Sequence, residues 1–424
     1  MKLAVVGGGS TYTPELIDGL LRRRAQLPVD TVSLYDPSAQ RLGVIGGFVA
    51  RMCQAAGGGL RLETTDDLRE CVGGADFVVS QFRIGGQPAR HGDELLGRRW
   101  GVVGQETTGV GGFAKGLRTI PVALAVQAAV AKHAAAGAWL INFTNPAGMV
   151  TEALLAHGVG DPPRVLGLCN YPWVLRAELA AGLRAPADAI TFDYAGLNHL
   201  SWVRDVLVDG RSRFAEAWTV WRHGLETDPD APFRLAVADD VGLICNSYLQ
   251  YYYETSRVLE RQRHTETRAE VVLRIEAALL RRYGEEARYD PEMLRHRGGA
   301  YYSEAAAALL TDLHTDARAV HVVNVRNNGA LPGVADDVVI ETSCEVGADG
   351  ARPLPVPAVR EPIKGLLTAV KDYELLAIQA AVSGDTRAAR LALVAHPLAV
   401  DGLRAGPFLD DLLTTNSRWL PQFA

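Results

Sequence analysis

The glycine run at residues 7–9 constrains the fold more than any other segment of the chain. It follows a short apolar run, Lys2–Val6, which is typical of a buried strand, and it precedes a helical pattern over residues 14–24. Glycine permits a tight turn and a close ligand, and the N-terminus of the following helix offers unpaired N–H groups to a phosphate. This context predicts a dinucleotide-binding turn. Its candidate cofactor-binding residues are Gly7, Gly9 and Ser10.

An acidic residue at the end of the next strand supports this interpretation. Asp36 follows the strand-like run Thr31–Tyr35, where a carboxylate can accept hydrogen bonds from both ribose hydroxyls and so favour NAD over NADP. One position departs from the usual GxGxxG pattern, because Tyr12 stands in place of the third glycine. The alternative is a glycine turn without a cofactor, in which Asp36 merely caps a helix.

Short apolar runs alternate with helical patterns through the first 170 residues. Such alternation predicts a doubly wound α/β sheet of parallel strands, which binds ligands at the carboxyl ends of its strands. The strand-like runs are residues 2–6, 31–35, 61–63, 77–81, 139–144 and 165–168, and the helical segments are residues 14–24, 43–54 and 118–135.

The pattern changes after residue 170. Residues 190–194 and 201–207 predict a hairpin or a mixed sheet. Helical periodicity returns at residues 273–283, 366–382 and 387–394. We therefore predict an N-terminal Rossmann-type NAD-binding domain over residues 1–170 and a C-terminal α+β substrate domain over residues 171–424.

The composition fits a two-domain globular protein. Of the 424 residues, 48% are hydrophobic and 22% are charged, which excludes disorder on compositional grounds. The net charge of −6 argues against a nucleic-acid partner. Five widely spaced cysteines without a CxxC pair indicate a reducing compartment. Because we find neither a signal peptide nor a long uninterrupted apolar segment, we predict a cytoplasmic protein without a membrane partner.

Several later segments are unusual for a simple dehydrogenase. In chain order they are FRIGG (82–86), GQETTG (104–109), NFTNP (142–146), GLCN (167–170), GLNH (196–199), SYLQYY (247–252), RGGAYYS (297–303) and HPL (396–398). Together and in this order they resemble glycoside hydrolase family 4, over nearly the whole chain. The segment CNYP at residues 169–172 is similar to the version that accompanies 6-phospho-β-glucosidases. An Asp or His after the cysteine goes instead with α-glycosides or non-phosphorylated substrates.

The resemblance implies a hydrolysis that passes through a temporary oxidation instead of a pair of carboxylates. NAD+ takes a hydride from C3 of the sugar, which makes the proton on C2 acidic. A base then removes that proton, the aglycone leaves C1 by elimination, water adds, and the hydride returns. The net redox change is zero, so NAD acts as a catalyst.

The implied route also needs a divalent cation against the C2 and C3 oxygens of the sugar. The resemblance implies Cys169 and His199 as its protein ligands and Mn²⁺ as the usual metal. A thiolate with an imidazole would by softness also suit Zn²⁺, Fe²⁺ or Ni²⁺. Without the resemblance, the two side chains would be interpreted as a buried cysteine and a hydrogen-bonded histidine, because no spacing motif connects them.

The resemblance implies a tyrosine as the base that removes the C2 proton. We match it to Tyr248, with Tyr251, Tyr252 and Tyr253 as alternatives in the same segment. A tyrosine needs a nearby cation to act as a phenolate. Packing on a helix is the alternative role for these rings, because Tyr248 and Tyr252 would share one face.

Five further residues complete the implied site. Asn145 and Asn170 would bind sugar hydroxyls, and Asn170 would also assist at the hydroxyl being oxidised. Glu106 would orient the substrate or a metal-bound water, unless it only holds loop N–H groups. Arg90 and Arg297 would bind a 6-phosphate, because a guanidinium matches a phosphate in two charge-assisted hydrogen bonds.

Three alternatives remain open beside hydrolysis of 6-phospho-β-glucosides. The first is a same-family enzyme for α-glycosides or non-phosphorylated glycosides, because elimination from C2 tolerates either anomer. The second is a 2-hydroxy acid dehydrogenase, and the third is an NAD-sensing module without catalysis. The resemblance also implies a homodimer or a homotetramer.

Overall fold

The computed structural model describes residues 1–160, 164–286, 288–294, 297–298, 301–361 and 363–424. Residues 299 and 300 of the segment at 297–303 therefore lie outside the described residues. The strands are β1 (Lys2–Val6), β2 (Thr31–Tyr35), β3 (Arg61–Thr65), β4 (Phe77–Ser80), β5 (Trp139–Asn142), β6 (Val165–Gly167), β7 (Ile190–Leu197), β8 (Leu200–Val208), β9 (Arg211–Ser212), β10 (Ile244–Cys245), β11 (Ala319–Arg326), β12 (Val339–Gly347) and β13 (Gly350–Pro353).

The helices surround these strands. They are α1 (Thr13–Arg22), α2 (Ala39–Ala55), α3 (Leu68–Val72), α4 (Gly86–Trp100), α5 (Gly109–His133), α6 (Ala147–His157), α7 (Tyr171–Leu183), α8 (Phe214–Thr227), α9 (Leu235–Val241), α10 (Gln250–Tyr253), α11 (Thr255–His264), α12 (Arg268–Glu285), α13 (Tyr302–Thr315), α14 (Ile363–Ser383), α15 (Thr386–Ala395) and α16 (Gly402–Asn416).

Strands β1 to β6 are parallel and lie in the order β3-β2-β1-β4-β5-β6. This is the order of dinucleotide-binding sheets, whose ligands lie where the strand order reverses, between β1 and β4. Both faces of the sheet are covered, since Leu3 and Val5 of β1 pack in one apolar cluster and Ala4 and Val6 in another. Burial of both faces explains why β1 is an unbroken apolar run.

Strands from the second half of the chain extend the same sheet. Strand β11 pairs antiparallel with β6 through Asn324 and Gly167, and β12 and β13 continue outward to give a nine-stranded sheet. The β7–β8 hairpin belongs to a separate antiparallel sheet that packs on β12. Side-chain hydroxyls of β12 fix this contact, since Thr342 Oγ1 donates to the Tyr194 carbonyl at 2.8 Å.

The predicted α/β doubly wound fold is confirmed, and β1 and β2 have the predicted bounds. The bounds of the predicted helices differ from the observed ones, most of all in α5, which begins at Gly109 and not at residue 118. Residues 109–117, which were not predicted to be helical, contain four glycines, and glycine lowers helix propensity. The predicted division after residue 170 stays a prediction, although the large sheet contains strands from both sides of it.

Helix α5 is the one helix among the described residues that is long and apolar enough to cross a membrane by length and composition. Its mean hydropathy is 1.2 over the relevant window, and 67% of that window is buried inside the protein. Such burial is typical of a core helix, so the finding is weak support for a membrane span.

Candidate active site

A cleft of about 1160 Å³ opens along the carboxyl edge of the parallel strands. Segments that follow five of these strands line it, so one edge of the sheet collects residues that are far apart in sequence. Every predicted site residue except Gly9 lines this cleft, and Gly9 lies inside the glycine turn at its border. The residues that represent the five strand ends are Gly7, Asp36, Gln81, Asn145 and Cys169.

The glycine turn is held against the end of β2. The backbone N–H groups of Gly7 and Gly8 both donate to the Tyr35 carbonyl, at 2.9 and 2.8 Å. Gly7 has a φ of +94°, and a Cβ there would lie 2.9 Å from the backbone nitrogen of Phe82. A larger residue would therefore be strained and would collide with the chain after β4.

Asp36 connects this turn to the next segment. Its Oδ2 accepts from the Gly9 N–H at 3.1 Å, and its Oδ1 accepts from the Ser38 N–H at 2.9 Å. Gly9 must be glycine here, because a Cβ would lie 2.7 Å from Asp36 Oδ2. The N-cap of α2 is Ser38 and not Asp36. The carboxylate thus fixes the turn and also lines the cleft.

Tyr12, in place of the third glycine of the motif, connects the start of α1 to Arg297, Gly298 and Tyr302. Its ring stacks on Tyr302 with centroids 5.2 Å apart. Its hydroxyl donates to the Gly298 carbonyl and accepts from Arg297 Nη1 at 3.1 Å. Arg297 also pairs with Glu276 at 2.5 Å, so this arginine lies beside the glycine turn.

Cys169 and His199 meet across the cleft from two different elements. Cys169 lies just after β6, and His199 occupies the tip of the β7–β8 hairpin with a φ of +63°. The Cys169 Sγ and His199 Nε2 atoms are 3.7 Å apart. In tetrahedral zinc sites, bonds of about 2.3 Å to sulfur and about 2.1 Å to nitrogen place the ligand atoms about 3.6 Å apart. The pair therefore fits two ligands of one divalent cation.

Burial affects the pKa of both side chains in this pair. Burial lowers the pKa of His199 to about 3, so the imidazole is neutral and keeps a nitrogen lone pair. Burial, with the nearby Glu341 carboxylate, raises the pKa of Cys169 to about 12, so a thiolate requires a cation beside it. Among the described residues, no three His, Cys, Asp or Glu side chains form a group that could hold a metal. Any further ligands would come from substrate or water.

The four neighbouring tyrosines have different environments. Tyr248 stacks on the His199 ring, with centroids 3.8 Å apart and an interplanar angle of 10°. Tyr251 meets Tyr248 edge-on at 5.9 Å, and these two line the cleft. Tyr252 stacks on His396, and the Tyr253 hydroxyl accepts from the Trp202 indole at 3.1 Å. Of the four rings, Tyr248 is the one beside the candidate metal ligand.

Contacts from the Cys169 segment fix the position of Tyr248. Tyr171, two residues after Cys169, accepts from the Ser247 N–H at 3.1 Å and donates to the Cys245 carbonyl at 3.2 Å. Burial raises the pKa of Tyr248 well above its usual value, so the free hydroxyl stays protonated at neutral pH. Tyr248 could therefore remove a proton only with a cation near its oxygen.

Glu106 lies among three basic side chains that also line the cleft. Its carboxylate oxygens are 2.7 Å from Arg90, 3.0 Å from Arg83 and 3.4 Å from Lys115. Although burial opposes it, the charge of these cations holds the pKa of Glu106 well below its usual value. Burial and Arg83 lower the pKa of Lys115 to about 7. Glu106 is thus a buried anion that orders basic groups.

The remaining predicted residues also line the cleft. Asn145 follows β5, and its Oδ1 accepts from the Ala147 N–H at 3.2 Å. Asn170 is the N-cap residue of α7, next to Cys169. Arg90 is ion-paired with Glu94 at 2.7 Å in addition to Glu106. The structure thus brings the predicted residues together, while their chemical roles stay predictions.

In the part of the chain that the structure describes, five basic residues that line the cleft were not predicted from the sequence, namely Arg41, Arg98, Lys115, Arg261 and Arg268. Lys115 was missed because the start of α5 was placed too late, and its glycine-rich surroundings carry no spacing signal. Arg261 and Arg268 also line the cleft, from α11 and α12. In a chain with many arginines, nothing in the sequence separates these two from surface residues.

The fold and the site together define a class of protein, a dinucleotide-binding enzyme with a candidate metal centre beside the nucleotide turn. The family model described as "Family 4 glycosyl hydrolase" matches residues 2–185. The model described as "Family 4 glycosyl hydrolase C-terminal domain" matches residues 194–399. The chain belongs to the family 4 glycosyl hydrolases, and the family predicted from the sequence is confirmed.

Three similar proteins illustrate the relationship. A protein named probable 6-phospho-beta-glucosidase from Bacillus subtilis (strain 168) is 38% identical over 100% of this chain and 98% of its own length. The 6-phospho-beta glucosidase from Thermotoga maritima, solved with manganese, NAD+ and glucose-6-phosphate, has a TM-score of 0.91 at 34% identity and 99% coverage of both chains. A 6-phospho-alpha-glucosidase from gut microorganisms, in complex with NAD and Mn2+, has a TM-score of 0.90 at 26% identity, covering 100% of this chain and 99% of its own.

Proposed function

We propose that this glycosidase hydrolyses 6-phospho-β-glucosides and that the reaction needs NAD and a divalent metal. Mn²⁺ is the metal to test first. The observation that carries the proposal is the approach of Cys169 Sγ to His199 Nε2, 3.7 Å apart, in the same cleft as the glycine turn. The β anomer is supported by identity, which is 38% to the Bacillus subtilis relative and 26% to the α-glucosidase structure. The asparagine after Cys169 supports it as well.

The nucleotide half of the cleft would hold NAD. Gly7, Gly9 and Ser10 would bring backbone N–H groups to the pyrophosphate at the start of α1. Asp36 would accept hydrogen bonds from the ribose hydroxyls, and its negative charge would repel a 2′-phosphate. When bound, NAD supplies a hydride acceptor for C3 of the sugar and later a hydride donor.

The metal half of the cleft would act on the sugar ring. Cys169 and His199 would hold the cation, which when bound polarises the oxygens on C2 and C3. Asn145 and Asn170 would donate hydrogen bonds to sugar hydroxyls and fix the ring, with Asn170 beside the hydroxyl that is oxidised. These contacts would orient the C2 hydrogen toward the tyrosine that stacks on His199.

Tyr248 would accept the C2 proton at its phenolic oxygen. The electron pair of the broken C–H bond would form a double bond between C1 and C2, and the C1–O bond to the aglycone would break. Water would add at C1. The phenol proton of Tyr248 would exchange with solvent, and Tyr248 would then deliver a solvent-derived proton to C2. Because burial keeps this phenol protonated by itself, the nearby cation is what would make it a base.

Cations at one end of the cleft would bind the 6-phosphate. Arg90 and Arg297 are the arginines predicted from the sequence, and both are ion-paired to carboxylates. Arg261 donates to the Gln250 amide oxygen at 2.8 Å and lines the cleft near Tyr251. We propose that Arg261 and Arg268 add to this phosphate site, because several cations together match the charge of a phosphate.

The cellular context of the chain is also a proposal. A phosphorylated sugar does not cross membranes freely, so we propose that the protein acts in the cytoplasm on glycosides that have been phosphorylated. We further propose a homodimer or a homotetramer. The net charge of −6 and the buried α5 helix support the absence of nucleic-acid and membrane partners.

A substrate panel tests this proposal. The purified chain, with NAD and Mn²⁺, is assayed on nitrophenyl α- and β-glucosides, each with and without a 6-phosphate. We expect release of nitrophenol from the 6-phospho-β compound and loss of release after chelation. Faster cleavage of the 6-phospho-α or a non-phosphorylated compound would reassign the substrate, and net NADH formation from lactate or malate would indicate a dehydrogenase.

A further inference from the structure

The ring of His199 makes a second contact, on the side that faces away from Cys169. The Nδ1 atom of His199 lies 2.9 Å from the hydroxyl oxygen of Thr107. Thr107 belongs to the loop that joins α4 to α5, and the proposed reaction gives this threonine no role. The imidazole is therefore held between a hydroxyl on one nitrogen and a thiol on the other.

The Thr107 hydroxyl has an acceptor of its own. Its proton can be donated to Gln105 Oε1, which lies 3.1 Å away. The orientation of the Gln105 amide is fixed, because Oε1 also accepts from the backbone N–H groups of Thr107 and Thr108 at 2.6 and 2.7 Å. If the amide were flipped, its NH₂ group would face these two N–H donors and could accept a hydrogen bond from neither. The three side chains thus form one line of hydrogen bonds.

The loop that carries this line is packed too closely to shift. A Cβ at Gly111 would lie 1.9 Å from the Gln105 carbonyl oxygen, and one at Gly112 would lie 2.3 Å from the Thr107 carbonyl oxygen. The first turn of α5 therefore packs directly on the loop backbone. The loop is also tied to α11, because Gln262 bonds to both the N–H and the carbonyl of Gly104, at 3.1 and 2.9 Å.

An imidazole that binds a cation through Nε2 carries its proton on Nδ1, and that N–H needs a buried acceptor. The Thr107 hydroxyl oxygen supplies this acceptor at hydrogen-bond distance. The hydroxyl then donates its own hydrogen bond to Gln105 Oε1. We propose that Thr107, supported by Gln105, is a positioning residue that holds His199 with Nε2 aimed at the cation. This proposal rests on the proposed function, in which His199 is a metal ligand.

Metal affinity tests the proposal without any measurement of turnover. We would measure the dissociation constant of Mn²⁺ for the NAD-loaded protein by equilibrium dialysis, in Thr107→Val and Thr107→Ser. Valine keeps the shape of the side chain but leaves Nδ1–H without an acceptor, and we expect a dissociation constant about 10 to 100 times higher. Serine keeps the hydroxyl, and we expect a value within about threefold of the original protein.

A neighbouring threonine provides the matched control. The side chain of Thr108 makes no hydrogen bond with His199 or Cys169, so Thr108→Val removes a buried hydroxyl from the same loop without removing the proposed acceptor. We expect its affinity for Mn²⁺ to be unchanged. All variants should bind NAD as the original protein does, because the glycine turn is not altered.

The outcomes separate this proposal from the proposed function. If the original protein binds no Mn²⁺, or if His199→Ala binds it as well as the original, the metal site itself is wrong and the proposal fails with it. If His199→Ala abolishes binding while Thr107→Val binds normally, the proposed function stands and the role of Thr107 is overturned. Should Thr107→Val not fold, Thr107→Ala undergoes the same measurement with the same two outcomes.

Discussion

The tyrosine that stacks on His199 differs from its neighbours in one respect that can be tested. Tyr248 has its ring 3.8 Å from the imidazole and faces the cleft, whereas Tyr252 packs on His396. Replacement of Tyr248 by Phe keeps the ring and removes only the proton acceptor. We expect a loss of turnover of about 10² to 10⁴-fold, the usual range for a general base.

The loss should appear in proton exchange at C2 of the sugar, measured by NMR in D₂O. Tyr252→Phe is the matched control, since it removes a phenol one helical turn away, and it should leave the exchange rate unchanged. Exchange at the original rate in Tyr248→Phe would assign the base to another residue.

Asp36 makes a residue-scale prediction about the cofactor. Its carboxylate faces the cleft and holds the Gly9 N–H, so Asp36→Ala removes a ribose acceptor and loosens the glycine turn. We expect NAD affinity, measured by calorimetry, to fall about 10 to 100-fold, the range for lost hydrogen bonds to a charged group. The exposed Asp66→Ala serves as the control. An unaltered affinity in Asp36→Ala would remove Asp36 from the cofactor site.

At the scale of elements, the contact between α1 and α13 contains a carboxyl group with an unusual titration. Burial raises the pKa of Glu15, on α1, to about 7, against the effect of hydrogen bonds from Ser303 on α13. A carboxyl group with a raised folded-state pKa stabilises the fold fully below its unfolded pKa of about 4.5. That stabilisation is lost as pH rises to about 7.

Glu15→Gln should remove this loss, because glutamine stays neutral at every pH. We expect the free energy of unfolding of the variant to gain on that of the original protein between pH 4.5 and 7, by up to about 1.4 kcal/mol per pH unit. Urea unfolding across that range measures the difference. The exposed Glu226→Gln should show no such trend, and a constant difference for Glu15→Gln would contradict the raised pKa.

Local patterns predicted some elements well and others poorly. Strands β1 and β2 were predicted with their observed bounds because both faces of the sheet bury them, which leaves continuous apolar runs. The start of α5 was not predicted, because its glycines lower helix propensity. The structure needs them for close packing, since a side chain at Gly111 or Gly112 would collide with loop carbonyls. The position at which α5 begins is therefore determined by packing across the fold and not by local helix propensity.

Contacts between segments that are far apart in sequence could not be predicted from local sequence patterns. Strand β11 joins the parallel sheet through the pair Asn324 and Gly167, which are far apart in sequence. The family resemblance brought Cys169 and His199 to attention, whereas their spacing alone did not. The cations around Glu106 come from a strand end and two helices, so their convergence depends on the complete fold.

At the scale of the whole molecule, the candidate site exists only where both halves of the chain meet. The parallel sheet supplies the glycine turn and Cys169, while the β7–β8 hairpin, docked on β12, supplies His199. Tyr248 follows β10, which pairs with the same hairpin. The proposed reaction therefore requires the nucleotide, the cation and the base to act on one sugar in one cleft.

The most direct test of this central claim is the isotope content of the product. The purified protein, with NAD and Mn²⁺, would hydrolyse a 6-phospho-β-glucoside in D₂O, and NMR would locate deuterium in the released glucose 6-phosphate. We predict deuterium at C2, no net accumulation of NADH, and no hydrolysis after removal of either NAD or the metal. Full hydrolysis with hydrogen retained at C2 would contradict the account.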